Sequence, residues 1–335
     1  MTDMISKKAW LTFQKENKHL TVPILSFPAI SLLDVTVEEL IYSSDLQAKG
    51  MEKIFALGKT SAQVGMMDLS VEAEAFKAGI KVRRDEQPAI ISHPLKTKEE
   101  IKKMEVPAVG SKRTKIYIEA IKKAKKTIKN HAIFAGSIGP FTLAGNLMGM
   151  TEIMTDCYLD PETVEFVLEK TTEFIINYLI AFKEAGANGI LLAEPLAGLL
   201  SPEFSNRFSL KYVKKIIDAT KDDNFVFIYH NCGNVITHDK YLANLDADVF
   251  HFGNAINLKE MIEKMPKDKL IMGNINPTII RNEPKEVIYQ QTTALLKECS
   301  QFDNFIISTG CDIPPDTSWD KIATYFQAIE DFYLK

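Results

Sequence analysis

Residues 161–194 read PETVEFVLEKTTEFIINYLIAFKEAGANGILLAE, a long amphipathic segment followed by a short apolar one. Asp160 and Pro161 stand at the start of the amphipathic segment and Gly186 at its end, so the pattern predicts a helix between them. The residues GILLAE at 189–194 are almost entirely apolar, which is typical of a strand covered on both faces. A helix that leads directly into such a strand is the repeating unit of α/β proteins with parallel sheets.

The same alternation runs through most of the chain. Apolar segments that predict strands cover residues 22–27, 62–67, 132–138, 189–194, 225–230, 248–253, 270–275 and 305–310. Further helices are predicted over 202–220, 284–298 and 316–333, and a small hairpin near 80–92. This pattern predicts an α/β fold: a (β/α)8 TIM barrel with an N-terminal extension, forming a single domain over residues 1–335. A doubly wound open sheet is the alternative, although no GxGxxG motif follows the first strand.

Composition limits the classes of function. The chain has 335 residues, of which 46% are hydrophobic and 25% charged, and its formal net charge is −4. Its most basic run, at 112–129, has the spacing of one solvated helix face, so nucleic-acid binding is not expected. The cysteines are irregularly spaced, no apolar run reaches the roughly 20 residues that span a bilayer, and the N-terminus lacks an apolar signal core. We therefore expect a cytoplasmic protein, a monomer or homodimer, that has no membrane partner.

Soft metal-binding side chains stand where predicted strands end. His230 and Cys232 follow one strand, Cys311 follows the last, and Glu194 ends the strand of the opening stretch. In a barrel the carboxyl ends of the strands meet at the face that carries the chemistry. Zinc takes imidazole and thiolate ligands, and three protein ligands with one exchangeable position is the catalytic pattern. The sequence therefore predicts a catalytic zinc held by His230, Cys232 and Cys311, and Glu194, water or a substrate atom remain open as the fourth ligand.

Other polar residues lie near the same strand ends. The predicted cofactor-binding residues are Asn231, Gly233, His251 and Asn274. His251 is equally consistent with an active-site polar group and with a core histidine that has all its hydrogen bonds. Cys157 and Cys299 fall in predicted helices and are expected to be buried as small apolar side chains.

The predicted ligands indicate a type of reaction. Two thiolates make zinc electron-rich and a poor activator of water, whereas zinc lowers the pKa of an added thiol. Such a site favours alkylation of a thiol over hydrolysis. The metal-bound thiolate is then the nucleophile, and no further general base is required.

Several segments resemble the uroporphyrinogen decarboxylase superfamily, in particular its methylcobamide:coenzyme M methyltransferase branch. They are MMDLSVEAEAFKAGIKV (66–82), GSIGPFTLAGNLMG (136–149), LLAEPLAGLLSPE (191–203), YHNCGN (229–234), IMGNINP (271–277) and STGCDIPPDT (308–317). YHNCGN and STGCDIPPDT together match the His-x-Cys…Cys zinc signature of that branch. GSIGPFTLA and GNINP are shared more widely in the superfamily and indicate the fold more than the activity.

The resemblance implies a zinc-dependent methyltransferase that moves a methyl group from a methylated corrinoid, carried by a partner protein, to a small thiol such as coenzyme M. One alternative is another corrinoid-linked methyltransferase, with a methylated small-molecule donor or a pterin acceptor. Two others are a uroporphyrinogen decarboxylase-type lyase and a non-enzymatic corrinoid or metal accessory protein. Such decarboxylases carry an N-terminal arginine-rich segment, whereas the first arginine here is Arg83. No Asp-x-His-x-x-Gly cobalamin motif is present, so a corrinoid would arrive on a partner or free.

Overall fold

The computed structural model describes residues 5–334. Its strands are β1 (Ala62–Val64), β2 (Gly79–Arg83), β3 (Glu86–Ser92), β4 (Ala132–Ile138), β5 (Gly189–Ala193), β6 (Val226–Asn231), β7 (Val249–Phe252), β8 (Leu270–Ile275) and β9 (Phe305–Thr309). All except β2 and β3 form one parallel sheet in the order β1-β4-β5-β6-β7-β8-β9. The strands follow one another in chain order without a reversal, which excludes the doubly wound alternative. The curled sheet and its helices confirm the predicted α/β barrel.

One predicted strand is wrong. Residues 22–27 form no hydrogen-bonded ladder, because Pro23 has no N–H to donate. The segment nevertheless lies between the first and last strands of the sheet. Thr21 forms a single parallel bridge with Thr60 beside β1, and the N–H of Ile24 donates to Thr309 Oγ1 at 3.1 Å in β9. An irregular segment therefore occupies the eighth position of the barrel.

Alternate residues of each strand fill the barrel interior. The buried inner cluster is formed by Trp10, Val22, Ile24, Ala62, Val64, Met67, Ala132, Phe134, Leu191, Ala193, Val226, Ile228, Val249, Leu270, Met272 and Ile306. Trp10 comes from the N-terminal helix. Its ring meets Phe134 edge-on at 4.8 Å, and its Nε1–H donates to the Ser61 carbonyl at 3.2 Å, just before β1 begins. The N-terminal extension thus closes the end of the barrel opposite the carboxyl ends of the strands.

Helices surround the sheet, with the N-terminal helix at the end of the barrel that Trp10 closes. They are α1 (Lys7–Glu16), α2 (Ala29–Leu33), α3 (Val37–Ile41), α4 (Ser44–Phe55), α5 (Val71–Ala75), α6 (Lys98–Lys102), α7 (Thr114–Thr127), α8 (Pro140–Met148), α9 (Met150–Leu159), α10 (Pro161–Glu184), α11 (Pro202–Ser205), α12 (Lys211–Thr220), α13 (Asp239–Leu242), α14 (Leu258–Lys264), α15 (Pro277–Asn282), α16 (Lys285–Cys299) and α17 (Trp319–Leu334). A 3₁₀ turn covers Pro195–Leu199, and a π-helical turn at Asn206–Leu210 joins α11 to α12.

The helix of the opening stretch forms as predicted. Asp160 accepts a hydrogen bond from the N–H of Thr163, and α10 begins at Pro161. The helices predicted over 202–220, 284–298 and 316–333 also form, the first of them with the π-helical turn inside it. The predicted hairpin is the antiparallel pair β2–β3. No helix within residues 5–334 has the length and apolar character needed to cross a membrane.

Candidate active site

The three predicted soft ligands lie together. Along β6 the side chains of Val226 and Ile228 belong to the inner cluster, and His230 continues that inward-facing series. Cys232 follows β6, and Cys311 follows β9. One donor atom from each of the three residues lies within 4.8 Å of the others. Strands β6 and β9 are not neighbours, so it is the curvature of the barrel that brings His230, Cys232 and Cys311 to one place.

The two thiols of the cluster differ in acidity. A hydrogen bond from the Cys311 thiol lowers the pKa of Cys232 to about 7. The same contact, together with burial, raises the pKa of Cys311 to about 12. Of the two thiols, Cys232 is therefore the one that loses its proton more readily. Because Gly253 has no side chain, Cys232 can sit this close to β7: a Cβ on Gly253 would lie 2.6 Å from the Cys232 Cα.

The predicted His251 lies directly behind His230. The two residues are paired in register across β6 and β7, and their ring centroids are 4.6 Å apart. His251 is fully buried, and burial lowers its pKa well below the usual value. Its Nε2 lies 2.8 Å from the carbonyl oxygen of Thr309 and 3.1 Å from Ser308 Oγ. His251 therefore has a defined partner on each ring nitrogen and contacts the cluster through His230.

Glu194 lies outside the cluster of mutually close donor atoms. Its carboxylate accepts hydrogen bonds from the N–H groups of Phe141 and Thr142 at 2.8 and 3.1 Å, and from Thr142 Oγ1 at 2.7 Å. The side chain thus occupies the N-terminus of α8, where orphan N–H groups and the helix dipole favour a negative charge. Burial nevertheless raises the pKa of Glu194 to about 7. Three hydrogen bonds therefore hold the carboxylate against α8.

The other predicted binding residues support the loops around the cluster. Asn231 Nδ2 donates to the Glu194 carbonyl at 2.7 Å, and Asn231 Oδ1 accepts from the N–H of Gly233 at 2.8 Å. Gly233 packs against Gly198 of the 3₁₀ turn, whose Cα would lie 2.9 Å from an added Cβ. Asn274 Nδ2 donates to the carbonyls of residues 253 and 256, both at 3.0 Å. Asn231, Gly233 and Asn274 therefore hold chain segments together beside the site.

A cavity of about 220 Å³ opens onto His230, Cys232 and Cys311. Its lining residues are Ile24, Met67, Asp68, Leu69, Gln87, Pro88, Ala193, Pro195, His230, Cys232, Cys311 and Asp312. Gln87 and Pro88 come from β3, so the hairpin forms one wall. Met67, Leu69 and Pro88 make much of the surface apolar. The cavity volume suits a compact small molecule, with one polar end at the Cys–His cluster.

Three polar lining residues were missed by the reasoning from sequence. Asp68 directly follows the predicted strand at 62–67, and Asp312 directly follows Cys311. The search of strand ends that identified His230 could therefore have identified them too. Gln87 lies on the hairpin, and no sequence pattern pointed to it. Gln87 Nε2 donates to Asp312 Oδ2 at 3.4 Å across the cavity. Burial raises the pKa of Asp312 well above its usual value, and the neighbouring Cys311 adds to that shift.

A buried polar network lies behind Asp68. Arg113 is only 2% exposed and forms ion pairs with Asp68 and with Glu74. Tyr117 Oη donates to Asp68 Oδ2 at 2.7 Å. The nearby Glu72 is buried as well: its Oε1 accepts from Ser137 Oγ at 2.9 Å, while its Oε2 accepts no hydrogen bond from residues 5–334. Burial raises the pKa of Glu72 to about 7.

The sequence profile of the uroporphyrinogen decarboxylase (URO-D) family matches residues 30–332. The chain belongs to this family. The resemblance seen in its motifs is therefore confirmed, and the match covers the barrel from α2 to α17.

Proteins similar to this chain include a named methyltransferase and a named decarboxylase. The chain is 29% identical over 251 residues to the methylcobamide:CoM methyltransferase MtbA of Methanosarcina acetivorans, covering 73% of this chain and 72% of the relative. It is 24% identical over 267 residues to a uroporphyrinogen decarboxylase of Anaeromyxobacter, covering 78% and 76%. Among solved structures, a methyltransferase from Methanosarcina mazei superposes with a TM-score of 0.85 at 24% identity, covering 98% of this chain and 99% of the other. That superposition supports the fold.

Proposed function

We propose that this protein is a zinc-dependent methyltransferase that moves a methyl group from a methylated corrinoid, delivered by a partner protein, to a small thiol. The observation that carries the proposal is the cluster of His230, Cys232 and Cys311 at the wall of the cavity. An imidazole and two sulfurs are the donor set that zinc prefers, and three protein donors leave a position for an exchangeable ligand. The similarity to a methylcobamide:CoM methyltransferase supports the same reaction class.

The residues present fit the metal. The pKa of Cys232 is lowered to about 7, and His230 has one ring nitrogen free of His251. A bound metal would displace the proton of Cys311. Zinc, when bound, would supply the positive charge that keeps an acceptor thiol in its thiolate form at neutral pH. Glu194 is proposed as a positioning residue, because its carboxylate holds α8 and its carbonyl holds Asn231.

The proposed reaction is a nucleophilic substitution at the methyl carbon. The acceptor thiol loses its proton to solvent, and its sulfur forms a bond to the methyl carbon. The carbon–cobalt bond of the corrinoid breaks, and its electron pair stays on cobalt, which passes from Co(III) to Co(I). Apolar side chains such as Met67 and Leu69 shield the thiolate from water, and this strengthens it as a nucleophile. The products are a thioether and the reduced corrinoid.

The decisive experiment combines metal analysis with turnover. Purified protein should contain one zinc per chain, and the zinc-loaded protein should convert methylcobalamin and a small thiol to cob(I)alamin under anaerobic conditions. Cys232→Ala and Cys311→Ala should lose zinc and methyl transfer together. Cys157→Ala and Cys299→Ala are the matched controls, since both cysteines are buried in helices away from the cavity and should keep both properties. Protein without metal whose Cys232→Ala variant still transfers methyl groups would refute the proposal.

A further inference from the structure

The most exposed large apolar side chains come from neighbouring elements of the fold. Leu159, Tyr158 and Leu199 are 78%, 72% and 66% exposed, and within residues 5–334 no other large apolar side chain is exposed as much. Tyr158 and Leu159 end α9, and Leu199 ends the 3₁₀ turn Pro195–Leu199. Single exposed apolar residues are common, whereas a group of them in one region marks a surface that binds another molecule. We call Tyr158, Leu159 and Leu199 the apolar rim.

Two contacts place the elements of the apolar rim side by side. The ring centroids of Tyr158 and Phe204 are 4.4 Å apart, and Phe204 belongs to α11, which closely follows the 3₁₀ turn. Gly145 of α8 lies between the other two elements: a Cβ added there would meet the side chains of Leu196, in the turn, and Ile153, in α9. The 3₁₀ turn, α9 and α11 therefore form one region of the surface.

The apolar rim adjoins the entrance of the active-site cavity. Pro195, the first residue of the 3₁₀ turn, lines the cavity. Gly198 packs against Gly233, the residue after Cys232: a Cβ added to Gly198 would lie 2.9 Å from the Gly233 Cα. Leu199 directly follows Gly198, so its exposed side chain stands close to the proposed metal ligand. A molecule bound to the apolar rim would therefore also reach the entrance of the cavity.

The cavity is too small to enclose the proposed methyl donor. Its volume is about 220 Å³, whereas drug-sized ligands fill pockets of about 300–1,000 Å³ and a corrinoid is larger still. The methyl group must therefore be presented at the entrance, with the corrinoid ring outside. A protein that carries the corrinoid needs a contact surface beside that entrance, and burial of an apolar surface supplies free energy of association.

We propose that the apolar rim is the docking surface for the protein that carries the methylated corrinoid. This inference rests on the proposed function and names the surface that its partner uses. The only charged side chains of α9 are Glu152 and Asp156. The facing surface of the carrier protein is therefore apolar at its centre and basic at its edge, where it meets these carboxylates.

Two methyl donors separate docking from chemistry. Methyl transfer to a small thiol by the zinc-loaded enzyme is followed anaerobically, from free methylcobalamin and from a methylated corrinoid protein. The corrinoid protein is purified by its ability to donate a methyl group to the unaltered enzyme. In Leu159→Glu and in Leu199→Glu, the KM for the protein-borne donor, divided by the KM for free methylcobalamin, should rise about tenfold or more. Docking would bury the new carboxylate without a partner.

Leu334→Glu is the matched control. Leu334 is 62% exposed, similar to Leu199, but it ends α17 near Cys299, at the opposite end of the barrel, so its variant should keep the KM ratio of the unaltered protein. An unchanged ratio in both rim variants would overturn the inference and leave the methyltransferase proposal standing. An enzyme that accepts methyl groups from methylcobalamin and from no corrinoid protein would do the same. Transfer from neither donor would instead overturn the proposed function.

Hydrogen–deuterium exchange of the unaltered protein tests the surface without a variant. Addition of the corrinoid protein should slow amide exchange in residues 150–159 and 195–204, and unchanged exchange there would overturn the inference. A second copy of this chain is the competing occupant of the apolar rim. If sedimentation velocity shows a dimer that Leu159→Glu converts to monomers while the KM ratio stays the same, the rim is a dimer contact and the inference fails.

Discussion

The Nδ1 atoms of His230 and His251 lie 2.6 Å apart inside the barrel, so one ring donates a hydrogen and the other accepts it. The Nε2 of His251 faces the Thr309 carbonyl, which can only accept, so the hydrogen of His251 stands on Nε2. The neutral His251 ring then accepts at Nδ1 from His230. His230 therefore carries its hydrogen on Nδ1, and its Nε2 presents a lone pair for a metal.

Replacing His251 should weaken metal binding without removing a ligand. In His251→Phe the Nδ1–H of His230 loses the imidazole acceptor at 2.6 Å and keeps the carbonyl oxygen of residue 251 at 3.2 Å, so the ring is held less firmly in its orientation. We expect zinc affinity to fall by about 10- to 100-fold, the usual effect of removing such a supporting hydrogen bond. Competition with a chromophoric chelator measures this. His251→Gln should recover part of the affinity, because its amide oxygen can accept from His230. Equal affinities for the Phe variant and the unaltered protein would show that the imidazole of His251 does not support metal binding.

The metal-stripped protein should have one unusually reactive thiol. The hydrogen bond from Cys311 lowers the pKa of Cys232 to about 7, whereas burial raises the pKa values of Cys157 and Cys299 to about 12. Alkylation by iodoacetamide, followed by mass spectrometry from pH 5 to 9, should therefore modify Cys232 first, with a midpoint near pH 7. Cys311→Ala should move that midpoint upward, because the donor is lost. An unchanged midpoint would show that Cys311 does not control the Cys232 thiolate.

Glu72 should make the protein less stable as the pH rises. Burial raises its pKa in the folded state to about 7, above the value of 4.5 expected when it is exposed. Between these two values the folded state binds more protons than the unfolded state, so the free energy of unfolding falls with increasing pH. Glu72→Gln removes this contribution. The free energy of unfolding of the variant, relative to that of the unaltered protein, should rise by about 1–3 kcal/mol from pH 4.5 to pH 7. Denaturant unfolding measures this difference.

Glu194 has a raised pKa as well, so the comparison rests on the difference between Glu72→Gln and the unaltered protein at each pH. Glu263→Gln, on the exposed face of α14, is the control and should show no pH-dependent difference. If the difference in free energy of unfolding between Glu72→Gln and the unaltered protein stays constant across this pH range, the pKa of Glu72 is not raised by folding.

The role of Glu194 can be separated from that of a metal ligand. Glu194→Gln keeps one acceptor oxygen but places an amide next to the donors of Thr142. We expect the free energy of unfolding to fall by about 1–3 kcal/mol, because a buried donor loses its partner. The zinc content should remain one per chain. Loss of zinc from a folded Glu194→Gln protein would instead identify the carboxylate as the fourth ligand.

Local patterns in the sequence were enough to predict most helices and strands of the barrel. The caps at Asp160 and Gly186 and the apolar periodicity of residues 161–194 act over a few residues, and the helix and strand form where they predict. The strand ends that carry His230, Cys232 and Cys311 were also readable, because all parallel strands present their carboxyl ends at one face. The strand predicted at 22–27 does not form. Its apolar residues indicate that the segment is buried, but they do not indicate backbone hydrogen bonding to neighbouring strands, which Pro23 interrupts.

The sequence by itself determined the alternation of helices and strands and the family, and it pointed to His230, Cys232 and Cys311, because these features depend on neighbouring residues and on motifs. Only the tertiary structure decided what surrounds those three residues. Glu194 caps α8, His251 sets the tautomer of His230, and the hairpin brings Gln87 to Asp312. Ser26 and Asp312 are 286 positions apart and still lie within hydrogen-bonding distance. Such contacts arise from the closure of the barrel and the paths of its loops, which no local periodicity encodes.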